Sequence, residues 1–334
     1  MRLSDPTNRP VCRIGFVGTG GVATRHAHVL SSFDDVALVA ATDVDASRAA
    51  AFGTEFGTAT ADDVDALLAH DLQAVYVCVP PFAHGPADTS AEARLAAAGV
   101  AVFVEKPLAV DLDTAHAVGE HLARAGVPTR VGHHWRCAEP VARARELLAG
   151  RTPRLVSAAW WDKVPPVAWW AHRDRSGGPV VEQAVHVLDL LRVLVGEVEE
   201  VHARSAGPVP GGGDADAAVA ALLSFTGGAV GTLSTASVLG WKHRAGIEVV
   251  ADGLVVGLGE DWLEVRDGAD EPRRETFDRM TACIAADRAF VDEVAGRDVD
   301  PDRSPPDHPE ALRTHRLATA VARSAASGAP EQVG

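Results

Sequence analysis

From Arg13 to Gly132 the chain alternates short, continuous apolar runs with amphipathic stretches. The runs at 13–17, 36–42, 73–79, 101–104 and 129–132 are rich in Val, Ile, Ala and Phe and predict buried strands. The stretches at 24–30, 46–56, 61–69, 86–98 and 111–125 predict helices, with Pro86 in the first turn of the fourth and Gly99 behind it. Strands and helices in strict alternation predict a parallel sheet with right-handed crossovers. Beyond about Gly150 the pattern changes. Runs at 154–161, 199–206, 217–225, 229–238, 246–250 and 254–258 read as strands with few helices between them, and Thr226-Gly227-Gly228 reads as a hairpin turn. A helix over 180–195 is predicted to cross this second sheet, with closing helices near 283–295 and 309–327. The loops 207–214 and 298–307, rich in Gly, Pro and Asp, are expected to be exposed. The fold class is therefore α/β followed by α+β with a large, mostly antiparallel open sheet.

The first strand runs into Gly18-Thr19-Gly20-Gly21-Val22-Ala23, which fits G-x-G-x-x-G/A. Gly18 permits the tight turn, Gly20 lets a pyrophosphate approach the backbone, and Ala23 lets the new helix pack on the sheet. The N–H groups that open this helix would face the phosphates. The next strand ends in Asp43, at the distance downstream where a carboxylate meets the adenosine ribose hydroxyls and repels a 2′-phosphate. The pattern predicts a dinucleotide-binding domain over 1–133 that takes NAD in preference to NADP, followed by a second domain over 134–334. Arg48, the one neighbour that could soften this preference, is expected to face solvent. Ligands lie at the carboxyl ends of parallel strands, so Gly18, Asp43, Pro80 and Lys106 should line one crevice.

A length of 334 residues agrees with two domains. A formal net charge of −15 argues against nucleic-acid or anionic-membrane partners but leaves an anionic small molecule open. Cys12, Cys78, Cys137 and Cys283 are widely spaced, which suggests neither a zinc site nor a disulfide framework. The polar opening MRLSDPTNRP lacks an apolar signal region, and no stretch reaches the length of a membrane span, so a cytoplasmic location is expected.

Three groups of residues could carry chemistry. Glu105-Lys106-Pro107 closes a strand, where a lysine could reach the crevice or merely pair with a surface acid, and the proline could fix the turn through a cis bond. Glu182, His186 and Asp189 fall at i, i+4 and i+7 of the helix predicted over 180–195, so a carboxylate one turn from a histidine could orient a general base. A solvated polar stripe is the plain alternative, and no metal is expected. Trp135, Trp160, Trp161, Trp169 and Trp170 crowd one region with Arg136, Lys163, Arg173 and Arg175 among them. Indole faces pack on the C–H faces of sugars and cyclitols, and equally well in a core or an interface.

On these motifs the chain resembles the Gfo/Idh/MocA family, named for glucose–fructose oxidoreductase and inositol 2-dehydrogenase. The residues concerned are Gly18-Thr19-Gly20-Gly21, Val77 to His84, Glu105-Lys106-Pro107, Ser176-Gly177-Gly178 leading to His186-Val187-Leu188-Asp189, and Arg323-Ser324-Ala325. The resemblance implies an N-terminal Rossmann domain, a C-terminal substrate and oligomerisation domain, and hydride exchange between a nicotinamide and a hydroxyl carbon of a sugar, cyclitol or similar polyol, in a homodimer or homotetramer built through the C-terminal sheet. Lys106 would bind the reacting oxygen and His186 would be the acid/base. Glu182, standing where the family has Asp, would orient His186. Pro80, His84, Glu105 and Lys106 would adjoin the cofactor, and Trp169, Arg173 and Trp241 are pocket candidates. A redox glycosidase that retains NAD is the alternative enzyme. A non-catalytic dinucleotide-binding regulator would need neither Lys106 nor His186.

Overall fold

A computed structural model describes residues 11–85, 88–269 and 271–334. The first half alternates as its apolar runs dictate: β1 (Cys12–Val17), α1 (Gly21–Leu30), β2 (Val36–Thr42), α2 (Ala46–Phe56), β3 (Ala59–Thr60), α3 (Val64–Leu68), β4 (Ala74–Val77), α4 (Ala91–Ala97), β5 (Ala101–Val104), α5 (Leu112–Ala125) and β6 (Thr129–Val131). Its six strands pair in parallel in the order β3-β2-β1-β4-β5-β6. Every residue of β4 and β5 is buried, which is why these strands read as unbroken apolar runs rather than alternating ones. The starts of α2, α3, α4 and α5 are set by side-chain caps from Asp45, Asp63, Ser90 and Asp111. Pro86, expected in the first turn of α4, lies outside the described residues, and α4 itself begins at Ala91 behind the Ser90 cap.

The second half supplies α6 (Glu139–Leu148), β7 (Pro153–Lys163), α7 (Arg173–Ser176), α8 (Gly178–Glu182), α9 (Val185–Leu194), β8 (Val198–Ser205), β9 (Ala218–Phe225), β10 (Val230–Leu239), β11 (Arg244–Ala251), β12 (Leu254–Leu258), β13 (Trp262–Asp267), β14 (Arg273–Thr276), α10 (Met280–Val294), α11 (His308–Ser327) and β15 (Glu331–Gln332). Nine strands form one sheet in the order β14-β13-β12-β11-β7-β10-β9-β8-β15, antiparallel except where β7 runs parallel to β10. The inner face packs on α6, α8, α9 and α11 around Val156, Leu188, Leu191, Leu233, Val249 and Val321. The pattern of the sequence did not predict β13, β14 or β15. The strand β14 is exposed throughout and β15 is two residues long, so neither carries an apolar signature.

Two expectations are corrected. The helix predicted over 180–195 is two helices, because Gln183 and Ala184 both donate to Pro179 O, a widened turn that ends α8 and restarts the chain as α9. The loops 207–214 and 298–307 are not wholly exposed: Val209 is buried with Ala215 against Trp170, and Ser304, Pro305 and Pro306 are buried.

Helices α10 and α11 return from the second half to the first. Phe290 and Val291 of α10 join the core of β1, β4 and β5, and Ala311 of α11 joins the core under α5. The two sheets thus share packed helices along the crevice.

Candidate active site

Gly18, Asp43, Pro80 and Lys106 all follow the carboxyl ends of parallel strands, β1, β2, β4 and β5 in turn, the edge at which open parallel sheets hold ligands. Gly18 sits at φ +84°, and a Cβ there would strike the Cys78 carbonyl, so the turn requires glycine. Thr19 donates from its N–H (2.8 Å) and its hydroxyl (3.0 Å) to Asp43 Oδ2, while Asp43 Oδ1 accepts from Asp45 N–H (2.9 Å). These bonds hold the carboxylate at the end of β2. Gly20 starts α1 with no side-chain cap, a Cβ on Gly20 or Gly21 would meet nothing within 4 Å, and Val22 points outward. Uncapped helix N–H groups facing open space, with a fixed acid at the neighbouring strand end, fit a dinucleotide. Arg48 is exposed, as expected, but its guanidinium lies on Asp45 and 3.8 Å from Asp43.

Lys106 follows β5 and is joined to Pro107 by a cis peptide. Its ammonium donates to the Glu182 carbonyl (2.7 Å) and to Glu182 Oε1 (3.0 Å). The other Glu182 oxygen accepts from Trp170 Nε1 at 2.8 Å. Glu182 therefore does not orient His186: the break between α8 and α9 turns it toward Lys106. Asp189, one turn on from His186 in the same helix, is engaged elsewhere. It accepts both arms of the Arg136 guanidinium (2.6 Å each) and the Thr314 hydroxyl (2.7 Å) in a buried pair, and Arg136 holds it down to about 2 against the cost of burial. Arg136 also bonds Glu310, so it is a clamp on α9 and α11 and not a substrate group.

His186 is placed by rings. It lies nearly parallel to Trp135 (5.6 Å, 16°) and Trp160 (5.8 Å, 23°), with His134 edge-on at 5.2 Å and His133 at 6.1 Å. Its Nδ1 is buried without a partner. Burial, joined by the charges of Lys106, His134, His133 and Lys242, pushes His186 well below the usual histidine range. Burial likewise brings His133 down to about 4. Burial also opposes charge on His134, but Cys283 and Glu260 lift it to about 9. The Lys242 ammonium sits over Trp160 (4.8 Å) and Trp135 (5.7 Å). A neutral, stacked imidazole beside a positioned ammonium is equipped to move one proton.

The remaining predicted residues divide. Pro80 lies at the crevice, before a single 3₁₀ turn. Trp169 sits in the 3₁₀ turn Ala168–Ala171 and meets the Phe82 ring edge to face at 6.2 Å. Arg173 bonds Asp216 (2.9 Å) and the Asp214 backbone through one nitrogen, which braces the loop, and its side chain stays partly exposed. Trp241 is exposed. His84 turns inward, its Nδ1 on the Glu92 carboxylate. Glu105 also turns inward, onto His26 (2.9 Å) and the Lys106 N–H (3.1 Å). The sequence reading missed His133, His134, Phe82 and Lys242. A signal was there for the first two: Gly132-His133-His134-Trp135 follows β6, at the same strand end that marks Lys106.

Residues 12–133 match the oxidoreductase family with NAD-binding Rossmann fold, and residues 141–253 match the Gfo/Idh/MocA C-terminal domain. The chain belongs to the Gfo/Idh/MocA family. A myo-inositol dehydrogenase of Streptomyces leeuwenhoekii is 33% identical over 94% of this chain and 98% of its own length. A 1-carboxy-3-chloro-3,4-dihydroxycyclohexa-1,5-diene dehydrogenase of Comamonas testosteroni is 32% identical over 76% of this chain, an alignment that spans 64% of the Comamonas protein. Among solved structures, a protein from gentamicin A biosynthesis in complex with NAD is 25% identical over 97% of both chains, with a TM-score of 0.79. A levoglucosan dehydrogenase in complex with NADH and levoglucosan superposes with a TM-score of 0.84 over 97% of this chain and 99% of its own at 19% identity, a likeness of fold. As a Gfo/Idh/MocA member, the protein is an NAD-binding oxidoreductase.

Proposed function

We propose that this Gfo/Idh/MocA oxidoreductase exchanges hydride with the carbinol carbon of a sugar, cyclitol or related polyol, with Lys106 and His186 handling the proton. The observation that supports the reading is the Lys106 ammonium held by Glu182 close enough for its charge to act on an indole-stacked His186. The nicotinamide, when bound, supplies the hydride acceptor. The rest falls to the chain. Gly18 to Val22 and Asp43 hold the dinucleotide. Lys106 donates to the substrate oxygen and stabilises charge that develops on it. His186 accepts the hydroxyl proton, a role for which a neutral imidazole is required. Trp169 offers an apolar face to ring C–H groups, while the buried Trp135 and Trp160 shield His186 from water. Residues 1–133 form the cofactor domain and 134–334 the substrate domain, and the open face of the second sheet joins subunits.

A screen of cyclitols and sugars with NAD, read as NADH absorbance, tests this. Net NADH with at least one free polyol is the expected result. Release of an aglycone from a glycoside without net NADH would assign the redox glycosidase reading instead. Dinucleotide binding with neither reaction would leave only a regulator.

A further inference from the structure

We propose that His26 and Asp287 are positioning residues for Lys106, acting through Glu105 from the side of the sheet opposite the substrate. This inference rests on the assignment of Lys106 to the reacting oxygen. His26 lies on α1, next to the glycine turn, and is almost fully buried. Its Nδ1 is 2.7 Å from Asp287 Oδ1 and its Nε2 is 2.9 Å from Glu105 Oε1. An imidazole that meets a carboxylate at each nitrogen must donate from both, so it carries a proton on each. The two carboxylates raise His26 to about 10 against the cost of burial, and His26 in turn holds Glu105 near 2. Tyr76 donates to Asp287 at 3.2 Å, and the Arg25 guanidinium adds a second cation beside Glu105 and Asp287. The cluster of His26, Arg25, Glu105 and Asp287 is thus balanced in charge, as a buried ionic group must be.

Glu105 makes this more than core packing. Its second oxygen accepts from the Lys106 N–H at 3.1 Å, at the peptide from which the reactive side chain springs. Gly132, at the end of β6, abuts the same carboxylate so closely that any Cβ there would displace it. Lys106 is held twice: by its ammonium on Glu182, and by its backbone through Glu105, His26 and Asp287. Asp287 belongs to α10, which enters the sequence after the second sheet. The cluster therefore ties the placement of Lys106 to the docking of α10 on the nucleotide-binding half.

The chain has three lysines, Lys106, Lys163 and Lys242, which makes the test direct. Protein labelled with ¹³C and ¹⁵N at lysine alone gives one Cε–Nζ signal for each, and Lys106 is assigned by its loss in Lys106→Arg. In His26→Gln, Asp287→Asn and Gly132→Ala the Lys106 signal is expected to shift or split while the exposed Lys163 signal stays in place. Tyr76→Phe, which leaves His26 and Glu105 paired, should leave Lys106 unmoved. Gly132→Ala changes no charge and tests the geometry alone. An unchanged Lys106 signal in folded variants overturns the proposal. So does collapse of the Lys242 signal, displaced in the folded protein by the faces of Trp135 and Trp160, to its unfolded position in all three, which would make the cluster a stability element only. The spectra require no substrate, whereas full turnover by Lys106→Ala on a polyol identified in the screen would remove the underlying role of Lys106 instead.

Discussion

At His186, burial and neighbouring cations act in one direction. Both disfavour the imidazolium, so the ring stays neutral at pH 7 and is available as a base. Replacement by Ala is expected to lower kcat by ~10²–10⁴ with little effect on NAD affinity. The acid limb of kcat/KM should fall below the ordinary histidine range near pH ~6.5, because the proton that silences the base binds only at lower pH. Glu182→Gln should resemble Lys106→Ala, damaging both kcat and substrate KM, since Glu182 grips Lys106 and not His186. Steady-state kinetics over pH on the substrate that the screen identifies check all three. Wild-type kcat in His186→Ala would pass the base to Lys106.

The element that organises the second half is α9, clamped through Asp189. Arg136, Thr314 and Asp189 are buried, and their bonds tie the turn after β6 to α9 and α11. Removing one member of such a pair leaves the other charge buried and unsatisfied. Asp189→Ala should therefore cost about 3–5 kcal/mol, read as a lower denaturant midpoint. A loss below about 1 kcal/mol, the range of exposed ion pairs, would show that water reaches Arg136. The same element shows where periodicity reaches its limit. Glu182 shares a face with His186 and Asp189 only if the helix is continuous, and nothing in the composition of Gln183-Ala184 marks the widened turn that sets it apart from them. Lys106 and the glycine turn were legible because strand ends and backbone sterics are local properties.

For the whole molecule, the titrating groups set a pH window. His133, His308 and His315 are brought to about 4 by burial. The unfolded chain binds their protons first, so stability falls as pH drops from ~6.5 toward 4. Glu105, Asp189 and Glu260 lie near 2, and their contribution is lost as pH falls further, through the ordinary carboxylate range and below. His26 and His134 are raised to about 10 and about 9, so what they contribute is complete below pH ~6.5 and is lost as pH rises toward those values. The melting temperature should peak near neutrality and decline on both sides. A melting temperature that still rises at pH 9 would contradict this ionic account. The outer face of the second sheet exposes Leu155, Leu222, Val230 and Val238 on adjoining strands β7, β9 and β10. Light scattering is expected to show an oligomer at micromolar concentration, with Leu222→Glu shifting it toward monomer. A wild-type monomer would refute the role of this face.

The sequence by itself determined the parallel sheet, its crevice, the dinucleotide turn and the candidacy of Lys106 and His186. Apolar runs, glycine sterics and strand-end position act over a few residues and can be read along the chain. The partners of those residues were decided by tertiary structure. Glu182 pairs with Lys106 across 76 positions, Asp189 with Arg136 across 53, and His26 with Asp287 across 261. Such distances carry no periodic signal. Each pairing exists because burial obliges a charge to find whatever counter-charge the packing brings within reach.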